Sequence, residues 1–271
     1  MVAASARHPD TAPKAPEDED IIEGLPPWME KGEEVRLAVA RELLESGSRI
    51  EALSIVRDMR AKGFDSPELD LLQGQALRED GLTSESERLL LEARRRMGKD
   101  PRPSEELCLL YADLQRLDDA IEACRRATAV ASPTASAYNN LGFLLLADDR
   151  PEEALGACEK AVGLDGAEAR FRNNLGIAQA ATGQEYEAYR TFKSTMSSAD
   201  AAYMVAFAIE RYGEIDDAIK WYEKALKYDP GHEQATERLE VLRQDGVQVG
   251  QAEGADDPTA AMIPDDEKQP R

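Results

Sequence analysis

The 271-residue chain is poor in the residues that carry most catalytic and metal-binding chemistry. It has only two histidines, His8 and His232, and aromatic residues make up 6% of its composition. Neither histidine has a nucleophile at a recognisable spacing, and the sequence shows no glycine-rich phosphate loop and no cluster of metal ligands. We therefore expect no catalytic residue, no metal and no cofactor, and we do not expect an enzyme.

Long apolar runs are also missing. No stretch approaches the roughly 18 consecutive apolar residues of a transmembrane helix, and residues 1–20 lack the apolar segment of a secretory signal. The three cysteines, Cys108, Cys124 and Cys158, are too few and too scattered to predict a disulfide framework or a zinc site. We therefore expect reduced thiols in a cytoplasmic protein that does not span a membrane.

The charge of the chain is strongly negative, with a formal net value of −21 at pH 7. An acidic chain repels phosphate backbones and anionic lipid headgroups, so nucleic acid and membrane surfaces are not expected as partners. A protein partner is compatible with this charge. Self-association is also compatible with the sequence, although nothing in it indicates a homo-oligomer.

One short pattern occurs twice in the middle of the chain. Tyr-Asn-Asn-Leu-Gly at 138–142 returns 34 residues later as Arg-Asn-Asn-Leu-Gly at 172–176. A period of about 34 residues is typical of helix-turn-helix repeats. Small residues recur at positions 8, 20 and 27 of this frame, which predicts closely packed helix pairs. The predicted repeats are 33–66, 67–100, 101–134, 135–168, 169–198 and 199–230, followed by a capping helix at 231–243.

The two ends of the chain differ from this repeated part. Residues 1–20 and 246–271 are rich in acidic residues, proline, alanine or glycine without apolar periodicity, which predicts disordered acidic segments. Residues 21–32 contain several large apolar side chains around two prolines and are predicted to form an irregular N-terminal cap. The predicted solenoid therefore spans 33–245.

The repeated part resembles the tetratricopeptide repeat (TPR). The best agreement lies within 205–230, and the segment 170–176 is similar to bacterial TPR proteins of pilus assembly. This resemblance implies an all-α, right-handed superhelical solenoid of about six repeats plus a C-terminal capping helix, in which the first helix of each repeat (helix A) lines a concave groove. The residues that carry the resemblance in 205–230 are Gly213, Ala218, Tyr222, Ala225 and Pro230.

The groove that this fold implies is distinctive in repeats four to six. Asn140 and Asn174 occupy the same position in successive helices A, and each amide can pair with both the N–H and the C=O of an extended peptide. Their neighbours Asn139 and Asn173 are interpreted as solvated residues near the helix starts. Nearby apolar side chains would select the peptide's side chains, and Arg170 would meet a carboxylate. The predicted peptide-binding residues are Asn140, Phe143, Arg170, Asn174, Ile177, Tyr203 and Phe207.

The sequence leaves more than one function open. The first is an adaptor that binds an extended peptide segment of a partner protein in the groove, in the assembly of a bacterial multiprotein complex such as a secretion or pilus system. The alternative is a scaffold that binds through its convex face, or that self-associates through the final helix with Leu239 and Leu242. The apolar residues predicted to line the groove have a second interpretation as well, since apolar residues at helical spacing often pack against the next repeat.

Overall fold

A computed structural model of the chain describes residues 32–244 and contains, within that range, thirteen α-helices and no strand. The segments predicted as disordered, and all but Gly32 of the predicted N-terminal cap, lie outside the described residues. The helices are α1 (Glu33–Glu45), α2 (Arg49–Ala61), α3 (Pro67–Glu79), α4 (Thr83–Met97), α5 (Arg102–Asp113), α6 (Leu117–Thr128), α7 (Ala135–Ala147), α8 (Pro151–Leu164), α9 (Ala169–Ala181), α10 (Glu185–Lys193), α11 (Ser198–Arg211), α12 (Ile215–Tyr228) and α13 (Glu233–Gln244).

The helices follow one another as A and B pairs, so that repeat four is α7–α8, repeat five α9–α10 and repeat six α11–α12. Within each of these repeats helix A packs against helix B, and α13 packs against α12. Neighbouring helices A are also in contact, α7 with α9 and α9 with α11. The predicted fold class, an all-α helical repeat solenoid, is confirmed.

The turn after each helix A needs a left-handed residue at position 15 of the repeat. Where that residue is not glycine, Gln115 and Asp149 adopt φ angles of 56° and 54°. Such angles are uncommon for residues with a Cβ atom, although asparagine and aspartate tolerate them better than most. The same turn geometry is therefore kept in all six repeats, and in four of them φ lies between 74° and 84° at Gly47, Gly81, Gly183 and Gly213.

Contacts between Cα atoms divide the chain into two units, one up to Leu89 and one from Leu90. In the first unit, charged side chains tie the helices around a small apolar core. The Arg60 Nη2 donates to Asp70 Oδ1 at 2.7 Å, and the Asp70 side chain is only 7% exposed. Two further ion pairs join Arg36 to Asp58 and Arg41 to Glu68.

In the second unit, glycine on helix A allows close approach to helix B. A Cβ atom on Gly142 would lie 2.5 Å from the Cys158 Sγ atom. In the next repeat, a Cβ on Gly176 would lie 2.7 Å from the Phe192 ring. Because such contacts are sterically forbidden, these two pairs fix how near the helices come at positions 8 and 24 of their repeats.

Positions 8 and 24 also bear on the prediction that all three cysteines are reduced. In repeat three both are cysteine, and Cys108 of α5 forms a disulfide with Cys124 of α6 across a Cα–Cα distance of 5.2 Å. The prediction of reduced thiols is therefore wrong for this pair. The two cysteines are 16 residues apart in the chain, and only the antiparallel packing of helix A on helix B brings them together. Cys158 remains a free, buried thiol, and burial raises its pKa to about 12.

Candidate functional site

Three successive helices A in the second unit share an apolar cleft, here called the A-helix cleft. Its lining residues come from α7, α9 and α11 and from Tyr212, which follows α11 directly. It is therefore built on the helices that were predicted to face a groove. The lining residues are Leu146, Ile177, Met204, Phe207, Ala208, Arg211 and Tyr212.

The chemistry of the A-helix cleft changes from its floor to its rim. Leu146 and Ile177 are buried beneath it, whereas the side chains of Met204 and Phe207 are half-buried and form its walls. The rim carries the exposed Arg211 and the half-buried Tyr212 phenol. Burial raises the pKa of the Tyr212 hydroxyl, and the nearby Asp149 and Glu152 carboxylates act in the same direction. The phenol is therefore a protonated hydrogen-bond donor at neutral pH.

The helices that form the cleft begin at well-defined caps. Thr134 Oγ1 accepts a hydrogen bond from the Ala137 N–H at 2.9 Å at the start of α7, and Ser197 caps α11 through the Asp200 N–H at 3.1 Å. These side chains satisfy backbone donors that have no partner within the helix. The caps fix where each helix A starts, and thus which of its residues face the cleft.

The predicted asparagine pair is arranged differently from the expectation. Asn174, only 1% exposed, donates from Nδ2 to Asn139 Oδ1 at 2.8 Å, so the two amides that meet are Asn139 and Asn174. Their separation of 35 residues, instead of the 34 of the repeat, reflects how α9 packs on α7. Asn173 was interpreted as solvated, yet its Oδ1 accepts from Thr195 Oγ1 at 2.9 Å.

Asn140 and Phe143 have accessible side chains. Both are half-buried, and the Asn140 side chain makes no hydrogen bond to another residue within 32–244. They lie on one stripe of α7, because residues three apart share a helix face. Among the predicted site residues these two present accessible side chains on α7, and Phe207 does so on α11.

Arg170 and Tyr203 are already engaged with neighbouring residues. The Arg170 Nε lies 3.8 Å from Glu168 Oε1, and its guanidinium carbon is 5.1 Å from the centroid of the Phe171 ring. The Tyr203 ring stacks on His232 just before α13, with 5.1 Å between ring centroids. Tyr203 therefore belongs to the packing of the capping helix, and it is not among the residues that line the A-helix cleft.

Five lining residues of the cleft are not among the predicted peptide-binding residues: Leu146, Met204, Ala208, Arg211 and Tyr212. Leu146 lies three residues after the predicted Phe143 on α7, and Arg211, the last residue of α11, lies four after the predicted Phe207. Steps of three or four residues along each helix would therefore have found both. From Met204, three residues before Phe207, steps of four lead to Ala208 and to Tyr212, which follows α11 directly.

Two further findings bear on what the described residues can do. None of the helices within 32–244 combines the length and the apolar character that crossing a bilayer requires. In the same range, no group of three or more histidine, cysteine, aspartate or glutamate residues is placed to hold a metal ion. The A-helix cleft itself offers apolar contacts, with the Tyr212 phenol and the Arg211 guanidinium as the polar groups at its rim.

Comparison with known proteins agrees with this architecture. The family model described as tetratricopeptide repeat matches residues 135–168 and 199–232. A search of curated protein sequences found no match. Among solved structures, YrrB, described as a TPR protein with an unusual peptide-binding site, is similar with a TM-score of 0.55 and 17% identity. That similarity covers 68% of this chain and 96% of YrrB.

Two other solved structures share the fold. PilF of Pseudomonas aeruginosa has a TM-score of 0.58 and 13% identity, covering 77% of this chain and 96% of PilF. MamA of Desulfovibrio magneticus RS-1 has a TM-score of 0.50 and 21% identity, covering 61% of this chain and 93% of MamA. Identities this low show a likeness of fold alone. Residues 135–168 and 199–232 thus match the tetratricopeptide repeat, and the helix-pair architecture of the described residues is that of the same fold.

Proposed function

We propose that the chain is a non-enzymatic adaptor that holds an extended peptide segment of a partner protein against helices A of repeats four to six. The observation that carries this proposal is the A-helix cleft, which crosses α7, α9 and α11 and contains the predicted residues Ile177 and Phe207. The lining of this cleft, apolar with a few polar groups at the rim, has the composition that binding sites share.

The ligand's backbone and side chains would be recognised by different groups. Asn140 offers an amide without a partner among the described residues, which can pair with the N–H and the C=O of a peptide. An apolar side chain of the peptide would pack on the surface that Met204 and Phe207 form over the buried Ile177, because the cleft itself, at about 10 Å³, is too small to admit it. Each hydrogen bond contributes about 0.5 to 1.5 kcal/mol net, so most of the affinity would come from apolar burial.

The buried amide pair has a supporting role in this proposal. Because Asn174 is bonded to Asn139 and almost inaccessible, we no longer propose that it contacts the peptide. Instead the pair holds α7 and α9 in a fixed relation, which positions Asn140 and Ile177. Tyr203 is likewise proposed to support the site by packing beside Phe207, with 6.2 Å between ring centroids.

Capture experiments with matched variants test the groove. The full chain, Asn140→Ala, Met204→Asp and the outer-surface control Tyr186→Ser would each capture proteins from a lysate of the source cells, with mass-spectrometric identification. Circular dichroism and thermal unfolding would confirm the fold of each variant. We expect a partner that the native chain and Tyr186→Ser retain but Asn140→Ala and Met204→Asp lose. Equal capture by all four proteins would contradict the proposal.

A specific observation favours the alternative of binding through the opposite surface. On the B helices α10 and α12, Lys224 Nζ lies 3.7 Å from the centroid of the Trp221 ring and 4.6 Å from that of Tyr189. Beside them, Tyr186 is 69% exposed and Tyr228 is 50% exposed. Exposed tyrosines are common at protein interfaces. Loss of partners from Tyr186→Ser alone would favour this second function.

The cellular location and the process are part of the proposal as well. A cytoplasmic location was expected from the sequence, but the Cys108–Cys124 disulfide is of the kind that persists in oxidising compartments. We therefore propose that the protein works outside the reducing cytoplasm. Participation in a bacterial pilus or secretion complex stays a prediction, because the similarity to PilF is a similarity of fold.

A further inference from the structure

Repeat five has an unusually short helix B. Helix α10 has 9 residues, whereas α8 and α12 each have 14. Beside the end of α10 lies a cavity of about 370 Å³ between α8, α9 and α10, here called the arginine cleft. Its polar lining residues are Arg172, Gln179, Glu187, Arg190, Thr191 and Ser194. None of them lines the A-helix cleft, so this site is independent of the proposed peptide groove.

The two arginines of this cleft lack carboxylate partners within residues 32–244. Arg172 donates from Nη1 to the Gly166 carbonyl oxygen, while its Nε is buried without an acceptor. Arg190 is exposed and forms no ion pair with a described residue. Arg150, by contrast, pairs with both Asp148 and Glu153. Guanidinium groups without a carboxylate are unexpected in a chain with a net charge of −21.

The side-chain amide of Gln179 is a third hydrogen-bond donor in the cleft, besides the two guanidinium groups. Thr191 Oγ1 donates to Gln179 Oε1 at 2.7 Å, which leaves the amide nitrogen of Gln179 available to donate. The Ser194 hydroxyl is already used, since it donates to the Thr191 carbonyl oxygen at 2.6 Å. The cleft therefore offers guanidinium and amide donors in excess of its acceptors.

The net charge of the arginine cleft indicates which kind of anion it would bind. Two guanidinium groups and the Glu187 carboxylate leave a single positive charge in the cleft, which matches one carboxylate group. A phosphate group carries about −1.5 to −2 at neutral pH and would meet Glu187 unfavourably. The planar fork of arginine also fits a carboxylate in two parallel hydrogen bonds. We propose that the arginine cleft binds one glutamate or aspartate side chain from an acidic segment of a partner protein.

Arginine side-chain NMR signals provide a direct test in the full chain. The Nε–Hε resonances of the ¹⁵N-labelled protein would be followed during titration with acetyl-Ala-Glu-Ala-amide, at millimolar concentration and mildly acidic pH. Arg172→Lys and Arg190→Gln identify the two signals by their disappearance. We expect the glutamate peptide to shift the Arg172 signal saturably, and the matched acetyl-Ala-Gln-Ala-amide to leave it unchanged.

Variants and a second anion complete the design. Arg190→Gln is expected to weaken binding of the glutamate peptide by about tenfold, the effect of losing one charge-assisted hydrogen bond. Arg126→Gln, which removes an exposed arginine paired with Glu122, is expected to leave binding unchanged. The proposal is overturned if the glutamate peptide produces no saturable shift, if the glutamine peptide acts equally, or if inorganic phosphate binds more tightly than the glutamate peptide.

Discussion

The unit that ends at Leu89 and the later repeats hold their helices together by different interactions. In the first unit, arginine–carboxylate pairs such as Arg60–Asp70 join neighbouring helices. In repeats four and five, the corresponding ties are the neutral Asn139–Asn174 hydrogen bond and the glycine contacts with helix B. Helix α7 contains no charged residue at all. Uncharged contacts of α7 with α8 and α9 therefore leave α7 with an amide and apolar surface.

The largest loss of stability is expected when a buried arginine–carboxylate ion pair of the first unit is broken. Arg60→Ala removes the arginine from an almost fully buried carboxylate at Asp70 and also the hydrogen bond to Gln73. We expect the free energy of unfolding to fall by about 3 kcal/mol, the lower end of the range for a broken buried pair, because Asp70 keeps a further interaction. Urea unfolding of the variant measures this value. The matched control Arg126→Ala, at an exposed ion pair, is expected to change stability by less than about 1 kcal/mol.

The second largest loss of stability is expected from reduction of the disulfide in repeat three. Reducing Cys108–Cys124 opens a loop closed over a separation of 16 residues, and we expect a loss of about 3 kcal/mol. Unfolding in urea with and without a strong reductant gives the difference, and Cys108→Ser, Cys124→Ser should show no further effect of the reductant. Thiol titration in denaturant without reductant should find one thiol per chain; three would contradict the bond.

The helix pairs could be predicted from the sequence, but the contacts between particular side chains of different helices could not. The 34-residue period and the small residues at fixed positions predicted the helix pairs, since these patterns depend on one repeat at a time. The disulfide and the Asn139–Asn174 bond depend on how helices are placed against each other. A shift of one residue between α7 and α9 pairs Asn174 with Asn139, although Asn140 holds the equivalent position of the repeat. Such a shift leaves no mark in the repeat pattern.

Close approach of the helices in repeat four is the next feature to break. Gly142→Ala places a methyl group against Cys158 Sγ, and we expect a loss of about 2 kcal/mol from overpacking. The double variant Gly142→Ala, Cys158→Ala should recover most of this loss, because it removes the clashing atom. Gly156→Ala is a control in α8, since nothing lies within 4 Å of its added Cβ. A stable Gly142→Ala single variant would contradict the contact.

The neutral amide tie is expected to have a smaller effect than the charged one. Asn139→Ala leaves the buried Asn174 amide without its acceptor, and we expect a loss of about 1 to 2 kcal/mol. Asn140→Ala should leave stability within about 0.5 kcal/mol, because that side chain has no hydrogen-bond partner within 32–244. Thermal or urea unfolding separates the two. Equal losses would show that Asn140 is also a structural residue.

The smallest effect concerns the acid sensitivity of the first unit. Burial acts to raise the pKa of the Asp58 carboxyl, but hydrogen bonds from Lys62 and Arg36 outweigh it and lower the pKa. A lowered pKa contributes stability above the unfolded value of about 4, and this contribution is lost as the pH falls through the folded value. Urea midpoints at about pH 7 and about pH 3 should therefore differ less in Asp58→Asn than in the native chain. Equal differences in the two proteins would show that Asp58 does not contribute to the acid sensitivity.

Site-specific photo-crosslinking can show whether helices A of repeats four to six hold the partner. A photoreactive phenylalanine analogue would replace Phe207 in the A-helix cleft or, as a control, Tyr186 on the B-helix surface. Partner proteins would be identified after irradiation in source cells. We expect one partner to be crosslinked through a single peptide segment from position 207 and not from position 186. Crosslinks from position 186 alone would contradict the proposed groove.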